Sequence, residues 1–154
     1  MQLLTLESSL RRPLGAASSE RGIPMQQDVI RTIAAMTEAF QRGDVDAVLS
    51  HYTEDAAVAF EPGKPVSGAA ALRAGFEAFA AVTPVFHYDR GHDVMISGDV
   101  AVHIAPWTMT GTAPDGTAIT EQGLSVATLR RQPDTTWKIA VDNPYGDHLL
   151  TATE

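Results

Sequence analysis

Apolar side chains in the first third of the chain recur at helical spacing. Between residues 26 and 42 they fall on one helix face, at Val29, Ile33, Met36 and Phe40. Gly43, a residue typical of helix ends, follows them. Two shorter helices are predicted next, one capped by Asp44 and one over residues 69–80 capped by Ser67. Residues 55–60 between them predict a short strand, and residues 61–65 predict a loop.

Strand-like segments separated by turns fill the rest of the chain. Residues 85–96 begin the series, and residues 94–109, 117–130 and 136–143 are separated by Gly- and Pro-containing turns. Helices followed by a long meander are the order of an α+β domain. We therefore expect a curved antiparallel or mixed sheet that packs on three N-terminal helices and encloses a pocket.

The segments on either side of these elements have no sustained period. We expect one domain over residues 25–146, a disordered or loosely attached tail over residues 1–24, and a short C-terminal tail over residues 147–154. The apolar stretch at residues 3–6 is shorter than the roughly 7–15 residues of a secretion signal.

Composition excludes several classes of partner. The formal net charge of -8 repels phosphate backbones, so no nucleic-acid partner is expected. No apolar run approaches the ~20 residues of a membrane helix. The absence of cysteine excludes disulfides and thiolate zinc sites, and it fits the cytoplasmic location that we expect. His87 and His92 would face opposite sides of a strand, so no metal site is expected.

Three local features occur together in residues 43–76, which read GDVDAVLSHYTEDAAVAFEPGKPVSGAAALRAGF. They are a Gly-Asp helix stop, an aromatic residue before Thr-Glu-Asp, and a glycine at the start of the third helix. In these features the chain resembles the nuclear-transport-factor-2-like superfamily, which includes ketosteroid isomerases and SnoaL-like polyketide cyclases. Residues 98–116 and 129–144 are similar to its SnoaL-like bacterial members, so the resemblance covers residues 25–146.

The resemblance implies a cone-shaped, cystatin-like α+β barrel with a pocket, commonly a homodimer through the sheet. Apolar residues on both faces of residues 100–109 also favour a dimer, with four of them expected to face outward: Ala101, Ala105, Trp107 and Met109. The superfamily hosts isomerases, dehydratases, cyclases, epoxide hydrolases and binding modules, so the fold does not determine the activity.

Glu61 is the first candidate for a catalytic base. Ketosteroid isomerases carry a carboxylate before a proline in the loop after the short strand, and Glu61-Pro62 occupies that place. Beside Phe60 its pKa could be raised, so that it takes a proton next to a carbonyl. The alternative is a solvated glutamate in a polar loop. The oxyanion donors of those isomerases have no counterpart, because Met36 stands near the tyrosine position and Glu121 is the nearest acid, so true ketosteroid isomerase activity is not expected.

Two histidines and the end of the last strand supply further candidates. His87 and His103 lie within strands, where either could act as an acid or base, or belong to a solvated or dimer-forming polar face. At the end of the last strand, alternation places Asn143 on the side of the core, whereas the family comparison points to Asp142. Both residues remain candidates, and Asp142 could instead pair with a basic residue on a neighbouring strand.

Two functions remain open. The first is a cofactor-free isomerase, cyclase or dehydratase that acts on a small apolar carbonyl compound through Glu61, His87, His103 and Asp142. The second is a non-catalytic module that binds a ligand or dimerises. Under either function, ligand contacts are predicted from a set of mainly apolar and aromatic residues: Met36, Tyr52, Phe60, Phe76, Trp107, Glu121, Asn143 and Tyr145.

Overall fold

The structure, a computed structural model, describes residues 16–151, and its side chains from Ile23 onward. Four helices are present: α1 (Ala16–Gln41), α2 (Val45–Ser50), α3 (Ala69–Ala80) and α4 (His148–Thr151). Seven strands are present: β1 (Tyr52–Ala59), β2 (Pro65–Ser67), β3 (Val85–His87), β4 (Asp93–Ser97), β5 (Val100–Thr112), β6 (Ala118–Arg131) and β7 (Trp137–Asn143). None of the helices within residues 16–151 is long and apolar enough to cross a membrane.

The helices match the predicted pattern in their centres and differ at some ends. α1 begins at Ala16, ten residues before the predicted start, and passes through Pro24. The remainder of the predicted N-terminal tail, residues 1–15, lies outside the described residues. Asp44 caps α2 as predicted, because its carboxylate accepts a hydrogen bond from the Ala47 backbone N–H at 3.1 Å.

The predicted cap of α3 is wrong. Ser67 is the last residue of β2, and the N-cap is Gly68, which has no side chain to accept a hydrogen bond. β2 itself begins at Pro65, the last residue of the predicted loop, and pairs with β1 in antiparallel fashion. A strand of three residues is too short for an alternating pattern to reveal it.

One curved sheet follows the helices. Its strand order is β2-β1-β7-β6-β5-β3, and β4 also pairs with β5. β1 and β7 run parallel and all other neighbours are antiparallel. This order confirms the predicted α+β class. Since long strands carry a right-handed twist, the long β5–β6 pair curls the sheet around the helices.

The helices pack against the concave face of the sheet. Val29, Ile33 and Phe40 of α1 belong to the same core as Leu129 and Ile139 from the sheet. On β5 the concave face carries four apolar residues that are all buried: Ala101, Ala105, Trp107 and Met109. Their predicted outward orientation is therefore wrong. The convex face of β5 carries the alternate residues, among them Val102, Ile104 and Pro106.

A bulge in β7 determines which way the end of that strand faces. Leu129 pairs with Ile139 whereas the preceding Thr128 pairs with Val141, so Ala140 is an extra residue on β7. Ile139 and Ala140 are both buried, and the alternation is inverted beyond them. Val141 is therefore exposed on the convex side.

Candidate functional site

A cavity lies between α1, α3 and the concave face of the sheet. Its volume, measured as the space that the centre of a water molecule can occupy, is about 80 Å³. A single water needs roughly 10–15 Å³ by the same measure, so the cavity has room for a small organic molecule. Most of its wall is aromatic: Phe40, Tyr52, Phe60, Phe76, Phe79, Phe86, Tyr88, Trp107 and Tyr145.

Asp142 and Tyr52 form the polar centre of this cavity. The Tyr52 hydroxyl donates a hydrogen bond to Asp142 Oδ2 at 2.6 Å. Burial raises the pKa of Asp142, and the hydrogen bond from Tyr52 lowers it in part. Burial and then the negative charge of Asp142 raise the pKa of Tyr52 well above its usual value. The proton therefore stays on Tyr52, and Asp142 is the group that can accept another.

Three further side chains bring hydroxyl groups to the cavity wall: Thr37, Tyr88 and Ser125. Burial raises the pKa of Tyr88, hydrogen bonding with Thr37 lowers it in part, and the charge of Asp142 raises it again. Tyr88 is thus a neutral hydrogen-bond donor close enough to Asp142 to sense its charge.

Two aromatic side chains use their polar atoms to hold the wall together. The Trp107 indole N–H donates to the Pro144 carbonyl at 2.9 Å. The Tyr145 hydroxyl donates to the Phe60 carbonyl, also at 2.9 Å. These bonds join the segment after β7 to β5 and to the end of β1. Because the polar atoms already have partners, both rings offer mainly apolar surface to a ligand.

Glu61 lies outside the cavity. Its side chain is 65% exposed and forms an ion pair with Lys64 at 2.6 Å. Hydrogen bonding and the positive charge of Lys64 lower the pKa of Glu61, whereas a raised pKa was expected. The expectation fails because the loop turns the carboxylate towards solvent and places a lysine three residues away.

Neither predicted histidine lines the cavity. His87 is exposed and borders an outer groove together with Asp89. His103 is fully buried, and its Nε2 lies 2.8 Å from His92 Nδ1. Burial, followed by the charge of His92, lowers the pKa of His103 to about 4. Among the described residues, His103 Nδ1 has no hydrogen-bond partner.

The predicted ligand contacts divide into two groups. Glu121 is exposed and borders an outer groove, and Asn143 Oδ1 accepts a hydrogen bond from the Tyr145 backbone N–H at 3.1 Å. The others line the cavity together with Asp142: Met36, Tyr52, Phe60, Phe76, Trp107 and Tyr145.

Sequence reasoning missed part of the wall, including Thr37 and Tyr88. The signal that was available is alternation, because Phe86 in β3 and Tyr88 just after it lie on the side opposite to His87. In residues 16–151 no cluster of three or more His, Cys, Asp and Glu side chains is arranged to hold a metal ion.

Comparison with known proteins relates this geometry to a family. The model of the SnoaL-like domain matches residues 33–135. The fold is similar to a candidate aromatic ring hydroxylase from Novosphingobium aromaticivorans, with 26% identity, 78% of this chain and 87% of that chain covered, and a TM-score of 0.71. It is also similar to a candidate dehydratase of the nuclear-transport-factor-2-like family from Streptomyces avermitilis, with 17% identity, coverage of 78% and 94%, and a TM-score of 0.70.

A third similar structure is a candidate scytalone dehydratase from Novosphingobium aromaticivorans, with 12% identity, coverage of 80% and 85%, and a TM-score of 0.72. No curated protein matches the chain significantly. The similarity to the two dehydratase structures, at 17% and 12% identity, shows the fold alone. The model of the SnoaL-like domain, in contrast, matches more than half of the chain. The chain therefore belongs to the SnoaL-like domain family.

Proposed function

We propose that the protein binds a small aromatic carbonyl compound and transfers a proton on it without a cofactor. The observation that carries this proposal is the hydrogen bond between Tyr52 and Asp142 in an otherwise aromatic cavity. Among the described residues that line the cavity, Asp142 is the only carboxylate. A buried carboxylate with a raised pKa is a stronger base than one in water.

The proposed step is proton abstraction next to the carbonyl. Asp142 takes the proton from the α-carbon, the C–H electron pair forms a C=C bond, and the carbonyl π pair moves to oxygen. Tyr52 keeps one carboxylate oxygen occupied and so orients the other. The hydroxyl of Tyr88 donates a hydrogen bond to the enolate oxygen. Return of the proton from Asp142 to another carbon of a conjugated enolate gives isomerisation. Transfer of that proton to a β-hydroxyl group, which leaves as water while the enolate carbonyl re-forms and a C=C bond forms between the α- and β-carbons, gives dehydration.

A second candidate function is ligand binding without turnover. It is favoured by the hydrogen bonds that occupy the polar atoms of Trp107 and Tyr145 and leave a largely apolar wall. Such a wall can retain an aromatic molecule by burial alone.

The two functions differ in whether the α-proton of a bound ketone exchanges with solvent. We would first screen one-ring and two-ring aromatic ketones for a rise in melting temperature, and then follow deuterium incorporation from D2O by NMR. Proton transfer predicts that the wild type accelerates exchange and that Asp142→Asn loses about 10²–10⁴-fold of that acceleration. Glu61→Gln is the matched control, because it removes a carboxylate outside the cavity and should exchange like the wild type.

Each outcome has a defined meaning. Binding without accelerated exchange supports the non-catalytic function. Equal exchange by the wild type and Asp142→Asn removes Asp142 as the base, and the absence of any melting shift across the panel contradicts a site for aromatic ketones.

We also propose that the protein is a homodimer through the convex face of the sheet. Exposed or half-buried apolar side chains cover this face: Met95, Val102, Ile104, Leu124, Val126 and Val141. An apolar sheet face of this kind is typical of a surface that packs on a partner.

A further inference from the structure

Two rings of the cavity wall lie directly on glycines. A Cβ atom at Gly123 would lie 2.7 Å from Cζ2 and 2.9 Å from Cε2 of Trp107. A Cβ atom at Gly75 would lie 2.6 Å from Cδ2 of the Phe60 ring and closer still to Cε2. Real Cβ atoms do not approach ring carbons this closely, so any larger residue must displace the ring.

The direction of that displacement at Gly123 follows from the sheet. Gly123 is paired with Trp107 across β5 and β6, so both face the concave side. A Cβ atom on this face points away from the strands, so it would push the indole away from β6, on the side where the ring lines the cavity, and it would also lie 3.0 Å from the Pro144 carbonyl oxygen. The indole has little freedom to slide sideways, because its N–H bonds to Pro144 and its ring packs against Phe86 at a centroid distance of 5.7 Å.

The same argument applies at Gly75 on α3. The Phe60 ring contacts this glycine and also lines the cavity, and it packs edge-on against Phe76 with centroids 5.0 Å apart. A Cβ atom on the helix would therefore press the ring away from α3 and into the space that a ligand would occupy.

We propose that Gly75 and Gly123 are specificity-determining residues. Because they have no side chain, the rings of Phe60 and Trp107 can pack directly against α3 and β6, and this packing sets the width of the ligand that the cavity accepts. This inference rests on the proposed binding of an aromatic carbonyl compound. It deepens that proposal by naming the two positions at which the absence of a side chain leaves room for a wider ring system.

The test compares one narrow and one wide ketone, acetophenone and 2-acetylnaphthalene, in Gly75→Ala and Gly123→Ala. Affinity for the two-ring ketone should fall about tenfold or more in each variant, the size of effect of a methylene misfit in an apolar pocket. Affinity for the one-ring ketone should change by less than about threefold. Gly111→Ala is the control, because its Cβ atom would meet the Val82 carbonyl and not a ring that lines the cavity.

A ligand-free measurement separates this inference from the proposed function. In a Trp137→Phe background the emission of Trp107 should shift in Gly123→Ala and stay unchanged in Gly75→Ala. If the wild type binds neither ketone, the proposed function fails, and the emission alone decides whether Gly123 positions Trp107.

A second variant covers the case in which Gly75→Ala does not fold. In Gly75→Ala/Phe60→Leu the clashing ring is absent, so folding and binding of the two-ring ketone should recover relative to the single variant. Unchanged preference for the two ketones in Gly75→Ala and Gly123→Ala, or unchanged Trp107 emission in Gly123→Ala, would overturn the inference.

Discussion

Two carboxyl groups in this protein have opposite pKa shifts because their surroundings differ. Asp142 is surrounded by aromatic rings, so desolvation raises its pKa, and the hydrogen bond from the Tyr52 hydroxyl offsets only part of this rise. Glu61 is in solvent beside Lys64, which lowers its pKa. A raised pKa keeps a carboxylate basic near neutral pH, and a lowered one makes it a weaker base. Residue chemistry alone therefore does not distinguish the two carboxylates, and burial favours Asp142 as the proposed base.

His103 is expected to make the protein less stable at low pH. Its pKa in the folded protein is about 4, below the usual 6.5, so the unfolded chain binds the proton more readily. Stability is therefore lost as the pH falls through 6.5 and levels off below the folded pKa. The shift corresponds to about 3 kcal/mol of unfolding free energy. His92, whose pKa burial also lowers, adds a loss of the same sign.

Urea unfolding between pH 7.5 and pH 4 measures this effect. His103→Phe removes the titrating ring and should reduce the acid-induced loss by roughly 2–3 kcal/mol relative to wild type. His87→Phe makes the same substitution at an exposed histidine and is the matched control for the change of side chain. An identical acid-induced loss in His103→Phe and wild type would contradict the assignment.

At the scale of single elements, the turn into α3 depends on backbone conformation and not on a capping side chain. Gly68 has φ 95° and ψ 142°, a region almost restricted to glycine, and its carbonyl accepts the first helical hydrogen bond from Leu72 N–H at 3.0 Å. The sequence places a serine beside this glycine, and propensity alone favours the serine as the cap. The pairing of β2 with β1 overrides that preference, because it holds Ser67 in the strand.

Paired substitutions separate the two explanations. Gly68→Ala should lower the unfolding free energy by about 1–3 kcal/mol, because alanine is strained at this φ. Ser67→Ala, at an exposed position, should change it by less than about 0.5 kcal/mol. Chemical denaturation of both variants provides the measurement, and a larger loss for Ser67→Ala would restore the serine as the cap.

At the scale of the whole molecule, the curved sheet has two apolar faces, and the helices α1 and α3 cover only one of them. Its concave face is covered by α1 and α3, whereas on its convex face Met95 and Val141 remain exposed. The C-terminal helix α4 adds Leu149 and Leu150, which are 80% and 87% exposed. A standard-size interface buries about 800 Å² on each partner, which the proposed dimer would take from this convex face.

Light scattering at micromolar concentration tests the dimer. The wild type should show twice the mass of one chain. Ile104→Lys should shift the mass towards that of one chain, because it places a charge in the middle of the convex face. Ala74→Lys adds the same charge on the exposed side of α3 and should remain dimeric. A wild type with the mass of a single chain would refute the proposal.

The sequence by itself determined the elements whose patterns are local. The apolar stripes predicted the centres of α1 and α3, the Asp44 cap predicted the start of α2, and alternation with turns predicted β5, β6 and β7. These features follow from spacing along the chain, which helix and strand geometry convert directly into faces. Phe76, on the buried face of α3, was predictable as a wall residue for the same reason.

Only the tertiary structure decided which polar groups meet. The extra residue at Ala140 turns Asp142 into the cavity, and no alternating pattern can reveal a bulge before the register with β6 is known. Tyr52 reaches Asp142 across 90 positions of sequence because β1 and β7 are neighbours. Solvent exposure removes Glu61 from the cavity, and burial lowers the pKa of His103. Burial and long-range pairing, the physical basis of the candidate site, exist only once the chain has folded.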